Sequence, residues 1–176
     1  EAFGKIKQLV NVPLVADIHF DHKLALMAID QGVDKIRINP GNMAGNSEMH
    51  DVLSAASERN IPIRIGLNSG SMPQVASGKG VVNDDMVSLA LKYIDMFEER
   101  DFRDIIVSLK ASDVLSTVKA YRDIALKTDV PLHIGVTAAG PPADGVVRSS
   151  IGMGALLLDG IGDTMRVSLT GDPLFE

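Results

Sequence analysis

Hydrophobic residues recur along this chain in two alternating patterns, short apolar runs and longer stretches with helical spacing. The short runs predict buried strands at residues 13–18, 35–38, 61–66, 104–109, 131–136 and 164–167. Apolar residues three and four positions apart predict the intervening helices, at residues 1–10 and 23–31, after caps at Ser47 and Ser112, near Asn83, and up to a stop at Gly160. Residues 138–145, rich in Pro and Gly, are predicted to be a loop.

Two of these helices have a predicted core-facing stripe that the structure can test. In the helix at 23–31, Leu24, Met27 and Ala28 are expected to face inward. In the helix after Ser112, the predicted stripe consists of Val114, Leu115, Val118, Tyr121 and Ala125.

Six alternations of strand and helix predict an α/β fold with a parallel sheet and helical crossovers. An open doubly wound sheet and a (β/α)₈ TIM barrel are the two competing architectures. Nearly every predicted strand ends in polar residues, which favours a barrel because its loops form a ring around one mouth. About six βα units are present, so we expect residues 1–176 to be a partial barrel that lacks two strands, a fragment of a longer chain.

The polar residues at the predicted strand ends are the candidate site. They are Asp17, His19, Arg37, Asn39, Arg64, Asn68, Lys110, Thr137, Arg166 and Ser168. Two cations about 6 Å apart repel by roughly 3 kcal/mol at an effective dielectric constant of 20. An anion among them would relieve that repulsion, and arginine forks suit phosphate oxygens. The pattern therefore favours a phosphate or diphosphate ester as ligand, although a single strand-end arginine is more often a salt-bridge partner, and Asp17 could fill that role for one of them.

The histidines divide into one candidate and three structural or exposed residues. The pair Asp17 and His19 could act in acid–base chemistry or form a structural hydrogen bond, and their spacing does not decide between the two. His133 begins a strand and is predicted to be structural, whereas His22 and His50 are predicted to be exposed. We find no spacing of His, Asp and Glu that indicates a metal site.

Glycine-rich segments give weaker signals. The segment 69–83 has the length of a lid or a disordered loop, and its first residues could present backbone N–H groups to a phosphate or serve as a hinge. Neither 152–154 nor 160–162 follows a strand in the dinucleotide-binding order, which argues against a nicotinamide site. We expect the first to allow close helix packing.

Composition excludes several classes of protein. The net charge of −6 and the aromatic content of 4% argue against nucleic-acid binding. The chain has no cysteine, so these residues hold no disulfide and no cysteine-ligated iron–sulfur cluster. It has no signal peptide and no apolar run long enough to span a membrane, which predicts a soluble protein.

Five segments carry a resemblance to a known family. They are VPLVADIHF at 12–20, IRINPGN at 36–42, IPIRIGLNSGS at 61–71, SLKASD at 108–113 and GIGDTMRVSL at 160–169. In these segments the chain resembles the 4-hydroxy-3-methylbut-2-enyl diphosphate synthases, oxidoreductases of isoprenoid (terpenoid) biosynthesis. The resemblance covers essentially the whole chain.

The resemblance implies a cytoplasmic bacterial enzyme that works as a homodimer. The barrel would bind 2-C-methylerythritol 2,4-cyclodiphosphate, and a C-terminal domain absent from this chain would hold a [4Fe-4S] cluster through three cysteines and a glutamate. Ferredoxin or flavodoxin would supply electrons. Carried over to this sequence, Arg37, Arg64, Lys110 and Arg166 would grip the cyclodiphosphate, Asn39, Asn68, Thr137 and Ser168 would assist, and Asp17 and His19 would lie beside them.

Two departures from the family pattern qualify these expectations. The family motif Thr-Glu-Ala-Gly, whose glutamate is associated with proton handling, is here Thr137-Ala138-Ala139-Gly140. An inactivated variant, a divergent non-catalytic diphosphate-binding homologue or a sequence error would each explain Ala138. Residues 72–80 also differ from the charged segment of the family, which puts the lid in question. Another phosphate-binding barrel, similar to the pteroate synthases, is a third interpretation.

Overall fold

The computed structural model describes residues 2–42, 46–68, 82–111 and 113–175. In chain order, the helices and strands are α1 (Ala2–Leu9), β1 (Val15–Ile18), α2 (His22–Asp30), β2 (Lys35–Ile38), α3 (Asn46–Glu58), β3 (Ile63–Asn68), α4 (Val82–Glu98), β4 (Ile105–Lys110), α5 (Val114–Ala125), β5 (His133–Ile134), α6 (Pro142–Leu158) and β6 (Thr164–Met165). Two 3₁₀ turns, Pro40–Asn42 and Pro173–Phe175, complete the regular structure of these residues.

The strands form a four-stranded sheet of order β1-β2-β3-β4 and a two-stranded sheet of β5 and β6. The β1–β2, β2–β3 and β5–β6 pairs are parallel, with a helix between the paired strands in the chain. An isolated parallel bridge joins Val107 to Leu132. The predicted α/β fold with parallel strands and about six βα units is therefore confirmed.

The chain divides into two compact units, residues 1–66 with 92–106, and residues 67–91 with 107–176. In the first unit, Ile36, Ile38, Ile63 and Ile65 of adjacent strands are fully buried. In the second, the buried side chains include Val107, Leu109, Tyr121, Ile124 and Ile134. In β2 and β3, alternate residues thus supply an aliphatic core, and Arg37 and Arg64 lie on the other face of these strands.

Helix α2 shows how local signals fix an element and where periodicity misleads. The Asp21 carboxylate caps its start by accepting from the Lys23 N–H at 2.9 Å, and Gly32 follows its end with φ of +78°. Its buried residues are Ala25, Ala28 and Ile29. The predicted inward positions of Leu24 and Met27 were wrong, because these side chains are 51% and 54% exposed on the neighbouring face of the helix.

Helix caps account for two further corrections. Helix α3 begins at Asn46, so Ser47 lies inside the helix and does not precede it as a cap. Helix α5 is capped by Asp113, whose carboxylate accepts from the Ser116 N–H at 2.7 Å, and this bond lowers the pKa of Asp113. The predicted cap, Ser112, lies outside the described residues.

The α5 stripe and the segment around β5 also differ from the sequence prediction. Leu115 is 82% exposed, and Thr117 lies in the buried stripe of α5. Strand β5 has only two residues, His133–Ile134, and a turn follows at 137–138. The predicted loop 138–145 was too long, since Pro142 already starts α6, where its fixed φ and missing N–H are well tolerated.

Helix α1 is attached to the first unit through one carboxylate. Asp34 accepts hydrogen bonds from the Lys7 ammonium and from the Leu14 N–H, the latter at 2.6 Å. The Lys7 hydrogen bond lowers the pKa of Asp34. None of the helices in the described part of the chain is long and apolar enough to cross a membrane.

One buried tyrosine joins three elements of the second unit. The Tyr121 hydroxyl, on α5, donates to the His133 carbonyl of β5 at 2.5 Å and accepts from the Leu109 N–H of β4 at 3.0 Å. Tyr121 is fully buried, so water cannot replace the hydroxyl for either backbone group.

We therefore expect Tyr121→Phe to lower the free energy of unfolding by about 1–3 kcal/mol, the cost of depriving buried polar groups of a partner. Urea unfolding would measure it. Tyr93→Phe, at the half-buried second tyrosine, serves as the control and should change stability by less than about 0.5 kcal/mol. Equal effects of the two substitutions would contradict the bridging role.

Candidate functional site

Three charged side chains form a row across the sheet of the first unit. Asp17 on β1 is in register with Arg37 on β2, and Arg37 is in register with Arg64 on β3. Residues directly opposite in paired strands project to the same face, so these three side chains are neighbours there. The row carries one negative and two positive charges.

Arg37 is the centre of this row. It is only 6% exposed, although its guanidinium is charged at any physiological pH. Its Nη1 donates to the Asp17 carboxylate at 2.9 Å, and its Nη2 donates to the Gly66 carbonyl at 3.0 Å. The ion pair compensates the buried charge, and the two bonds fix the plane of the guanidinium.

His19 completes the arrangement two residues beyond Asp17. Its Nε2 and Nδ1 lie 2.8 Å and 3.1 Å from Arg37 Nη1, and Nε2 lies 3.2 Å from the Asp17 carboxylate. A guanidinium can only donate, so a ring nitrogen that bonds to it must accept, and the tautomer of His19 decides which nitrogen does so. His19 and Asp17 are each about half exposed, and the Phe20 ring lies against His19 with 5.9 Å between ring centres. We call Asp17, His19, Arg37 and Gly66 the β1–β3 cluster.

Two other predicted residues of the first unit lie on the same strands. Arg64 is partly exposed on β3, and Asn39 follows β2 with its side chain almost completely buried. The Asn39 carbonyl accepts from the Asn42 N–H at 3.0 Å and starts the 3₁₀ turn that leaves the strand.

The second unit contains the other predicted site residues, Asn68, Lys110, Thr137, Arg166 and Ser168. Lys110 ends β4, and its ammonium extends over Gly135, where an added methyl would lie 3.6 Å from the nitrogen. Such a methyl would also lie 2.6 Å from the Arg166 carbonyl, so the glycine lets the backbone around β6 approach. Arg166 is exposed and its N–H donates to the Ile134 carbonyl at 3.0 Å, whereas Asn68, Thr137 and Ser168 are partly exposed.

The turn after β5 is strained and held from both sides. Ala138 is exposed and has φ of +52°, a conformation that residues other than glycine seldom adopt. Arg148 of α6 donates to the Ala139 carbonyl at 3.3 Å, and the Thr170 N–H donates to the Gly140 carbonyl at 2.9 Å. Strain of this kind persists only where the surroundings impose it, and it concentrates at functional sites.

The structure brings Asp17, His19 and Arg37 together, and it gives Arg37 the carboxylate partner that the sequence left open. His133 is buried with its Nδ1 2.8 Å from the Thr164 hydroxyl, and His50 is exposed, as predicted. The prediction of an exposed His22 was wrong, because this ring is largely buried and lies 3.5 Å from the Glu48 carboxylate. Residues 69–81 of the predicted loop 69–83 lie outside the described residues, and α4 begins at Val82.

Sequence reasoning missed Gly66. A glycine inside an apolar strand often marks a close approach by another group, and that signal could have found it. The predicted helix contact at Gly152 is confirmed, since a methyl there would lie 2.9 Å from Val136 and 3.3 Å from Val114.

The donor set of this chain does not fit an iron–sulfur cluster. The chain has no cysteine, and among its described residues no three His, Asp or Glu side chains are grouped as a metal site would need.

The sequence pattern of the GcpE TIM-barrel domain family matches residues 1–176. The chain is similar to two bacterial proteins named 4-hydroxy-3-methylbut-2-en-1-yl diphosphate synthase (flavodoxin). The protein of Thermodesulfovibrio yellowstonii is 54% identical over 178 residues, which cover 100% of this chain and 51% of the relative. That of Fusobacterium nucleatum is 55% identical over 179 residues, covering 100% and 50%. This chain thus spans about half the length of these relatives.

Two solved structures share the fold at low sequence identity. The carboxyl transferase domain of Rhizobium etli pyruvate carboxylase matches with a TM-score of 0.60 and 13% identity, covering 93% of this chain and 29% of that one. The 2,3-dimethylmalate lyase matches with a TM-score of 0.55 and 11% identity, covering 99% and 63%.

Removing the Asp17 carboxylate should destabilise the protein, because it leaves the buried Arg37 charge without its ion-pair partner. We expect Asp17→Ala to lower the free energy of unfolding by about 1–3 kcal/mol, less than for a fully buried pair since Asp17 is half exposed. Asp30→Ala, which breaks an exposed pair with Arg59 of nearly equal length, 3.0 Å, should cost less than about 1 kcal/mol. Denaturant unfolding of both variants measures the difference, and equal losses would refute the dependence on burial.

Proposed function

Because the chain belongs to the GcpE TIM-barrel domain family, we propose that it is the substrate-binding barrel of an oxidoreductase of isoprenoid biosynthesis. The reaction would open 2-C-methylerythritol 2,4-cyclodiphosphate reductively to 4-hydroxy-3-methylbut-2-enyl diphosphate. The name of the relatives that are 54% and 55% identical supports this assignment. The observation that carries it in the structure is the registered row Asp17, Arg37 and Arg64.

The charge of this row suits a diphosphate. Arg37 and Arg64 place two guanidinium groups on neighbouring strands, and like charges at that spacing repel each other. The planar guanidinium of an arginine can donate two parallel hydrogen bonds to phosphate oxygens. A bound anion would accept such bonds and reduce the repulsion between the two guanidinium groups, so the row favours an anionic ligand over a neutral one.

The residues of this chain would bind and orient the substrate. As the resemblance to the family implies, Arg64, Lys110 and Arg166 would bind phosphate oxygens, with Asn39, Asn68, Thr137 and Ser168 as neutral hydrogen-bonding groups. Arg37 would contribute positive charge while it holds Asp17 and His19. Those two half-exposed groups are the candidates for handling a proton, since carboxylates and imidazoles are the side chains that most often do so.

Electrons would reach the substrate from outside these residues. The relatives' name specifies flavodoxin, and we propose a flavodoxin as donor for this protein, with ferredoxin as the alternative. A [4Fe-4S] cluster, if used, would need ligands beyond residues 1–176, because the chain supplies no thiolate. A homodimer, in which a second copy brings its cluster to this barrel, belongs to the same proposal.

The binding roles are tested by removing one arginine in each unit. We expect Arg64→Ala and Arg166→Ala each to weaken cyclodiphosphate binding by about 1.5–3 kcal/mol, the range for hydrogen bonds to charged groups. Isothermal titration calorimetry on the full-length protein would measure the affinity. Arg59→Ala and Arg122→Ala, which remove exposed arginines paired with Asp30 and Asp159, are the matched controls and should leave it unchanged. Unchanged affinity in both test variants would refute the assigned roles.

A second candidate function rests on Ala138. The resemblance places a glutamate at this position, and its absence favours a diphosphate-binding homologue that does not turn the substrate over. Because Ala138 is exposed, a larger side chain would not have to enter the core. A substitution there tests chemistry with little effect on packing.

Ala138→Glu therefore separates the two candidates. We expect it to raise turnover of the cyclodiphosphate if the protein is an enzyme that lacks only this group, with affinity changed little. Ala138→Gly, which relieves the positive φ without adding a carboxylate, is the control and should not raise turnover. The assay is product formation with reduced flavodoxin, and binding without turnover in all three proteins would favour the non-catalytic homologue.

A further inference from the structure

We infer that Gly66 is a positioning residue for Arg37, and that through Arg37 it sets the places of Asp17 and His19. The inference rests on the proposed function for its effect on ligand binding, but its structural part stands on the β1–β3 cluster alone. Gly66 forms a hydrogen bond with Arg37, and Arg37 in turn contacts Asp17 and His19.

The space that Gly66 leaves empty is filled by the guanidinium. A methyl group built on Gly66 would lie 2.1 Å from Arg37 Nε, 2.8 Å from Nη2 and 2.9 Å from Cζ. All three distances are below those of real carbon contacts, and all three atoms belong to the charged head of the arginine. At the same time the Gly66 carbonyl accepts from Nη2 at 3.0 Å. One residue therefore supplies both the room and an anchor for the guanidinium.

The strand that carries Gly66 cannot move away to make room for a side chain. Ile65 and Leu67 on either side are buried, and Ile65 is the register partner of Ile38 on β2. A close-packed interior resists such a shift. An alanine at 66 would therefore displace the guanidinium and leave the strand in place.

Displacement of the guanidinium would break the contacts that orient the candidate proton-handling pair. The bond to Asp17 at 2.9 Å and the contact with His19 at 2.8 Å both use Nη1. A hydrogen bond weakens steeply when its geometry is disturbed. Asp17 and His19 would then lose their common partner, although residue 66 forms a hydrogen bond with neither of them.

Two other described glycines differ from Gly66 in what surrounds them. At Gly135 the nearest obstacle is the Arg166 carbonyl, a backbone group, and at Gly154 nothing lies within 4 Å. Gly154 lies inside α6 and has no positive φ, so Gly154→Ala is a matched control that introduces the same methyl group without a clash.

The test is a double-mutant cycle in the full-length protein, with Gly66→Ala, Arg37→Ala and the double variant. Calorimetry with the cyclodiphosphate should show that Gly66→Ala weakens binding about 10- to 100-fold, the loss expected when contacts of a charged group are misplaced. In the Arg37→Ala background, Gly66→Ala should have no further effect, since the group it displaces is gone. Gly154→Ala should bind as tightly as the unchanged protein.

A spectroscopic measurement reports the positioning independently of the ligand. The imidazole ¹⁵N shifts of His19, assigned by their loss in His19→Asn, should move in Gly66→Ala and stay constant in Gly154→Ala. A purely structural role of Gly66 would lower stability without moving them.

The outcomes separate this inference from the proposed function. Binding by the unchanged protein together with full affinity in Gly66→Ala, or additive losses in the cycle, would overturn the positioning role. If the unchanged protein does not bind the cyclodiphosphate, the proposed function fails. The His19 shifts then decide the inference, and an unchanged spectrum in Gly66→Ala would overturn it.

Discussion

A charged guanidinium held inside a parallel sheet is the constraint on which the first unit depends. Arg37 gives up nearly all contact with water, and Asp17, His19 and the Gly66 carbonyl replace it. Each of these partners comes from a strand or its end, so the charge is satisfied only if β1, β2 and β3 keep their register. The ion pair therefore links the alignment of the sheet to the positions of Asp17 and His19, the candidate proton-handling groups.

In the second unit, a neutral hydroxyl group connects two strands. Tyr121 joins the backbone of β4 to that of β5 where a direct strand ladder is short, and the loops at its strand ends carry Lys110, Thr137 and Arg166. The glycine at 135 and the strained Ala138 place backbone close to these polar residues. A rigid apolar scaffold thus presents polar side chains at its ends, as barrel enzymes generally do.

Much of the fold could be predicted from the sequence, because the alternation of strand and helix is a local property of hydrophobic spacing. Errors arose where another interaction overrode that spacing. Asp113 caps α5 in place of the predicted serine, and Pro142 begins α6 inside the predicted loop. Leu24, Met27 and Leu115 are exposed, although the helical periodicity predicted that they would face the core. These outcomes depend on which neighbour packs against a helix, which one segment of sequence does not specify.

The sequence by itself determined the residue types of the candidate site, the places of most of them near strand ends, the absence of thiolate ligands and the family to which the chain belongs. Strand ends are local, and motifs are strings of residues, so both can be read along the chain. Only the tertiary structure decided that Asp17 is the partner of Arg37, that His19 meets the same nitrogen, and that Gly66 leaves the space for the guanidinium. Those relations depend on register between strands that are about 20 to 30 residues apart in the chain, and register is set by the packing of the whole sheet.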